Sequence, residues 1–160
     1  MVLDEVLARA SLDQIDGGRI VWTDVATGGD AEWALSRETH HSGLVSWKNG
    51  VIASNQKSWF EMDVASPGRL SFWWKASSEC DGDDIYDYSY LSIDGAELGT
   101  LNQYRLTGVA IGGKTDWTNV VLDVSDIGPH KIRWTYRKDD VDESDTGGDC
   151  VWIDEIEWTP

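Results

Sequence analysis

Two acidic stretches carry the densest chemistry in this sequence. The first reads Glu79-Cys80-Asp81-Gly82-Asp83-Asp84-Ile85-Tyr86-Asp87; the second reads Asp139-Asp140-Val141-Asp142-Glu143-Ser144-Asp145-Thr146-Gly147-Gly148-Asp149. Carboxylates this close repel one another, and burying them requires a countercharge. A hard cation with several oxygen ligands supplies it, and calcium is the expected occupant, with Glu79, Asp84, Asp87, Asp139 and Asp149 as candidate ligands. The spacing does not match the twelve-residue EF-hand loop, so the alternative of two solvated acidic loops stays open. Transition metals fit poorly, since the chain has three His and no Cys-His spacing typical of a zinc site.

Cys80 and Cys150 border the same stretches, one just after a candidate strand and one just before the last. If those strands are antiparallel neighbours, both Cys lie at one end of the sheet, and a disulfide Cys80–Cys150 would tie the loops together. Two buried thiols are the other outcome.

The second conspicuous feature is ten Trp against two Phe. An indole has a large apolar face and one N–H donor, so it serves a core or a stacking platform for sugar rings. Catalytic constellations are missing. There is no Gly-x-Ser-x-Gly elbow, no His-Glu-x-x-His helix and no phosphate loop; His40-His41 sits in a polar turn. With 29 acidic residues, any chosen carboxylate pair says nothing about glycoside hydrolysis. The chain is expected not to be an enzyme.

These residues must be positioned by a β fold. The chain has 160 residues, enough for one domain with a real core. Residues 2–12 read as a short helix or linker stub, with residues 1–15 set apart from one sandwich domain over 16–160. Short extended segments follow at 19–23, 31–35, 44–47, 51–54, 58–64, 70–77, 88–93, 117–124, 131–137 and 151–158. Asn49-Gly50 is a hairpin signal and Asp94-Gly95 a turn. Residues 70–77 alternate most cleanly, with Leu70, Phe72, Trp74 and Ala76 on one face and Ser71, Trp73, Lys75 and Ser77 on the other. So many short strands without internal helices predict an all-β, two-sheet antiparallel β-sandwich of jelly-roll type.

Charge narrows the partners. A net charge of −16 repels nucleic acid and anionic membrane surfaces, and no apolar run reaches spanning length. Residues 1–11 lack the basic-then-apolar pattern of a signal peptide, so a targeting signal is expected to lie outside these residues.

Four segments together resemble a known family: residues 67–79 (PGRLSFWWKASSE), 91–95 (LSIDG), 130–139 (HKIRWTYRKD) and 148–156 (GDCVWIDEI). They are similar to the MAM-like, cleaved-adhesin-like jelly-roll modules of bacterial surface proteins, proteases and polysaccharide-degrading enzymes, related in architecture to carbohydrate-binding modules. The resemblance covers the chain from about residue 12 onward. It implies a non-catalytic accessory module, carbohydrate-binding or adhesive, secreted or at the cell surface. Such a module is expected to be monomeric within a larger chain and to meet a polysaccharide or a cell-surface glycan or protein. It also implies structural calcium, with Asp154 of Trp-Ile-Asp-Glu-Ile as a ligand. The sequence departs from the pattern in a long insertion over residues 98–114. Candidate ligand contacts are Trp73, Trp33, Trp47, Trp117, Tyr86 and Tyr88. A structural spacer that binds no glycan is the alternative.

Overall fold

The computed structural model describes residues 25–65, 67–141 and 148–160. The expected helix at 2–12, the strand at 19–23 and the boundary at residue 15 lie outside these residues. Fifteen strands are described: β1 (Val25–Gly29), β2 (Ala34–Ser36), β3 (Ser46–Lys48), β4 (Lys57–Val64), β5 (Gly68–Ser77), β6 (Cys80–Asp81), β7 (Asp84–Ile85), β8 (Tyr88–Ile93), β9 (Ala96–Glu97), β10 (Gly99–Asn102), β11 (Arg105–Gly108), β12 (Ala110–Gly112), β13 (Thr118–Val124), β14 (His130–Arg137) and β15 (Cys150–Thr159).

They build a two-sheet antiparallel β-sandwich of jelly-roll type. The first sheet runs β1-β4-β14-β8-β12, with β9 beside β8; the second runs β13-β5-β15-β3-β2. The chain changes sheet at β1 to β2, β3 to β4, β4 to β5, β5 to β8, β12 to β13, β13 to β14 and β14 to β15. Both small remaining pairs, β6-β7 and β10-β11, lie in connections between these strands.

Alternation with period two decides which side chains meet between the sheets. Phe60 and Met62 of β4, Leu91 of β8, and Ile132, Trp134 and Tyr136 of β14 come from the first sheet. Leu70, Phe72, Trp74 and Ala76 of β5, with Val151, Ile153 and Ile156 of β15, come from the second. Together they form one apolar cluster. Trp134 is the contact between the layers: its ring lies 5.8 Å from Phe60 in its own sheet and 5.2 Å, edge-on, from Phe72 opposite.

One expected hairpin is absent. Residues 51–54 form no strand, and Asn49-Gly50 is not a hairpin turn. Asn49 is buried and acts as a strand splice instead. Its Oδ1 accepts the Val151 N–H at 2.7 Å, and its Nδ2 donates to the carbonyls of Gly50 and Asp149. An amide that can satisfy the backbone of β15 overrides its turn propensity.

The Asp94-Gly95 turn is present, with positive φ at both residues (51° and 83°), as a tight hairpin between β8 and β9 requires. Asp94 also fastens this turn to the start of β14. Its carboxylate accepts the Lys131 N–H at 2.7 Å and meets His130 Nδ1 at 2.8 Å, while His130 Nε2 lies 2.7 Å from the Asp126 carbonyl. Hydrogen bonding to Asp94 raises the His130 pKa above its ordinary 6.5 and lowers that of Asp94. A raised histidine stabilises fully below its unfolded-state pKa, and the contribution is lost as pH rises through the higher folded value. Replacing His130→Gln therefore costs more stability in acid than in alkali. Urea midpoints of both proteins at several pH values check this, and a gap that ignores pH contradicts it.

Candidate functional site

Glu79 and Asp87 of the first acidic stretch and Asp139 of the second gather at the end of the sandwich where β5, β8 and β14 meet their loops. Ser78 closes the first stretch, its hydroxyl donating to the Asp87 carbonyl at 2.7 Å and accepting the Gly113 N–H at 2.8 Å. This staple brings Glu79 and Asp87 to the two ends of one short excursion, the β6–β7 hairpin, and the Tyr86 N–H returns to the Glu79 carbonyl. Asp139 arrives from the exit of β14, its N–H donating to Asp87 Oδ1 at 2.9 Å. One carboxylate oxygen from each of Glu79, Asp87 and Asp139 lies within 4.8 Å of the others.

Asp87 is completely buried, and its Oδ2 has no hydrogen-bond partner among the described residues. Burial pushes its pKa up to about 7, and the charges of Glu79 and Asp139 add to the rise; the Asp139 N–H and the Lys138 charge oppose it. The Tyr136 hydroxyl is likewise buried without a partner among the described residues, and burial, with these acids, raises its pKa. The nearby cation is Lys138, whose Nζ lies 2.9 Å from Asp149 Oδ2. A carboxyl titrating near neutrality is a candidate acid–base group. Zero exposure denies a substrate access to it, whereas an all-oxygen donor set with an orphaned Oδ2 suits a hard cation.

Of the six acids expected to ligate metal, three converge. Asp84 instead pairs with the Arg105 guanidinium, and Asp149 with Lys138. Asp154 is fully engaged elsewhere: its carboxylate accepts the N–H groups of His41 (2.7 Å), Ser42 (3.0 Å) and Glu155 (2.8 Å). The expected disulfide is corrected. Cys80 and Cys150 are not joined. Cys150 pairs with Ser77 across β15 and β5, but the chain turns away at Ser78, so Cys80 lies against Gly113. Burial pushes the Cys150 thiol up to about 11.

The candidate aromatic contacts scatter. Trp33 is buried, and Trp47 packs on Phe60 at 4.9 Å, so both belong to the core. Tyr88 is buried with the Arg137 guanidinium 5.4 Å above its ring. Tyr86 meets the exposed Tyr104 edge-on at 5.3 Å, on the β10–β11 hairpin of the insertion. Trp73 and Trp117 do come together on the outer face of the second sheet. Between them stands His41, stacked on Trp73 at 3.8 Å and edge-on to Trp117 at 5.9 Å.

The outer face of the first sheet holds a group that the sequence reading passed over. Register places Trp59, Thr135 and Tyr90 side by side, with Glu61, Arg133 and Ser92 in the next outward row. Trp59 lies flat over Gly28, where a Cβ would come within 2.5 Å of its ring; only glycine leaves that space. The Arg133 guanidinium sits 4.3 Å from the Trp59 ring, and its Nε donates to Glu61 at 2.6 Å. Lys131 reaches the other Glu61 oxygen at 2.8 Å and Asp63 at 3.1 Å. Glu61, Ser92, Gly95, Lys131 and Arg133 line a cavity of about 150 Å³. The alternation of Trp59, Glu61 and Asp63 opposite Phe60, Met62 and Val64 was visible in the sequence. The missing signal was the register that sets Arg133 and Lys131 beside them.

No protein-family model matches the sequence, and no curated protein matches it. Solved structures do. The chain aligns over 94% of its length with 94% of TmCBM61, solved with beta-1,4-galactotriose, at 16% identity and TM-score 0.50. It aligns over 91% of its length with 94% of a cleaved adhesin domain of Lys-gingipain from Porphyromonas gingivalis, at 12% identity and TM-score 0.54. It also covers 26% of the secreted serine protease VesC from Vibrio cholerae, over 96% of its own length, at 12% identity and TM-score 0.55. At these identities the likeness is one of architecture. The chain shares the sandwich fold of carbohydrate-binding and cleaved-adhesin modules.

Proposed function

We propose that this chain is a non-catalytic, glycan-binding or adhesive module, one sandwich domain of a larger exported or cell-surface protein. The observation that carries the reading is the Trp59 group on the outer face of the first sheet. Sugar recognition uses an apolar ring for the pyranose face and charged donors and acceptors for its hydroxyls. Trp59 supplies the ring, beside the cavity and overlaid at 4.3 Å by the Arg133 guanidinium, which would have to yield to a sugar. Glu61, Lys131 and Arg133 supply fixed polar groups around a small open cavity, held in place by their mutual ion pairs. The solved TmCBM61 complex, on the same fold, supports a saccharide as the ligand class.

Replacing Trp59→Ala is expected to weaken retention on immobilised polysaccharides or array glycans at least about tenfold, the equivalent of about 1.4 kcal/mol. Trp117→Ala, on the other sheet, leaves retention unchanged. The reverse pattern moves the site to the second sheet, and a wild-type protein that binds no glycan leaves a structural spacer.

Glu79, Asp87 and Asp139 are the residues that would hold a structural calcium. The support is the orphaned Asp87 Oδ2 and the three oxygens within 4.8 Å. The cation would neutralise the cluster and fix the exit of β14 against the β6–β7 hairpin. In chelator, Asp87 opposes folding as it ionises: its pKa is raised from 3.8 to about 7 in the folded state, so stability is greatest in acid and falls as pH rises through about 7. Asp87→Asn removes that fall and raises the melting temperature in chelator at alkaline pH. In the wild type, calcium at a hundred times its Kd adds about 2.7 kcal/mol, a shift of several degrees, which Asp87→Asn abolishes. A wild-type melt indifferent to both calcium and chelator rejects the site.

A further inference from the structure

The cations around Trp59 restrict the chemistry of its ligand. β14 turns Lys131, Arg133, Thr135 and Arg137 to the outer face of the first sheet, each about 6.8 Å along the strand from the next. Three of these four are cations and none is acidic, in a chain of 13 basic and 29 acidic residues. Register sets Trp59 beside Thr135, midway between Arg133 and Arg137, and sets Lys57 beside Arg137. The aromatic residue of the site thus stands between two cationic ends.

The counterions of this row are incomplete. Glu61 is buried, and its two oxygens are spent on Lys131 and Arg133. Lys131 also reaches Asp63 at 3.1 Å. Arg133 gives only its Nε to Glu61, so the outer edge of its guanidinium has no hydrogen-bond partner among the described residues. Arg137 and Lys57 form no ion pair among the described residues; Asp30 accepts the Lys57 backbone N–H and not its ammonium. The Arg137 guanidinium rests 5.4 Å from the Tyr88 ring, and its buried Nε has no hydrogen-bond partner among the described residues. A guanidinium held by an aromatic ring with its fork unspent is prepared for an oxyanion.

We infer that the ligand of this face is an acidic polysaccharide, whose carboxylate or sulfate groups pair with Arg133 at one end and with Arg137 and Lys57 at the other while a sugar ring meets Trp59. The inference rests on the glycan-binding reading of the Trp59 face and names the class of sugar. It also accounts for the guanidinium over that ring. A neutral sugar offers Arg133 only uncharged acceptors in exchange for leaving the indole. An anionic group pairs with its free edge and draws it aside while Nε stays on Glu61. The net charge of −16 opposes the approach of any polyanion. At about 0.15 M salt, however, exposed charges more than about 8 Å apart are largely screened, so the local row decides the contact.

Titration calorimetry of the 160-residue chain against matched polymers tests this: polygalacturonate against its methyl ester, and dextran sulfate against dextran. The charged member of at least one pair should bind at least about tenfold more tightly than its neutral partner. A split in the first pair identifies carboxylate, and a split in the second identifies sulfate. Arg137→Gln and Lys57→Gln should each weaken binding of that charged polymer about threefold. Lys57 is exposed, so its variant keeps the test valid should Arg137→Gln fail to fold. Equal binding of charged and neutral members overturns the acidic ligand and leaves the glycan reading standing. Binding to none of the four polymers and to no array glycan overturns both. Polyglutamate bound as tightly as the charged polysaccharide overturns the saccharide, and a charge preference undiminished in the folded variants overturns the assignment to this row.

Discussion

The packing of Trp134 between Phe60 and Phe72 is the constraint on which the outer surfaces depend. It sets the spacing of the two sheets and, through strict alternation, decides which residues face out. With Phe60 fixed inward, Trp59 and Glu61 must face solvent, and with Phe72 and Trp74 inward, Trp73 must do the same. A slip of one residue in β4 or β5 would put Trp59 and Glu61, or Trp73, into the core. The functional surfaces are thus the complement of the core and need no separate folding signal.

The two outer faces use their aromatic residues differently. On the first sheet, Trp59 is flanked by ion pairs centred on the buried Glu61. A buried carboxylate with two cationic partners on one face is costly unless its geometry is closed, and here Lys131 and Arg133 close it. Each cation is also partly solvated, so the arrangement keeps polar groups on offer without leaving a charge uncompensated. On the second sheet, Trp73 is covered by the chain's own loop. Each face thus covers its aromatic ring with the chain's own groups, Trp59 with the Arg133 guanidinium and Trp73 with the His41 ring.

Much of the fold was legible in the sequence because period-two alternation survives where one face is buried. The segments at 58–64, 70–77, 88–93, 117–124, 131–137 and 151–158 all correspond to long strands. The reading failed where a side chain's preference depended on distant backbone. Asn49-Gly50 looks like a hairpin turn until β15 offers its N–H to the Asn49 amide. Trp33 and Trp47 looked like candidate platforms because aromatic type does not report burial. Among the acids, Glu79, Asp87 and Asp139 were named from density alone, but nothing local separates them from Asp84, whose Arg105 partner arrives on an insertion. His41 was read only as a turn residue, because its stacking partner lies 32 positions away.

Three buried carboxylates show how environment, and not residue type, assigns a role. Glu61 is buried and paired with two cations, so its charge is compensated within the protein. Asp154 is buried and its oxygens accept three N–H groups, so it is saturated as a structural anchor; burial still raises its pKa, but the backbone donors oppose the rise. Asp87 is buried more completely than Glu61, yet among the described residues one oxygen accepts a single N–H and the other accepts none. Burial raises its pKa, and the carboxylate has fewer of the backbone donors that oppose the same rise in Asp154. A protein keeps such a group at a cost, and a bound cation relieves that cost without a further side chain. That difference in satisfaction, invisible in a list of acidic residues, is what separates the metal-site carboxylate from the anchor.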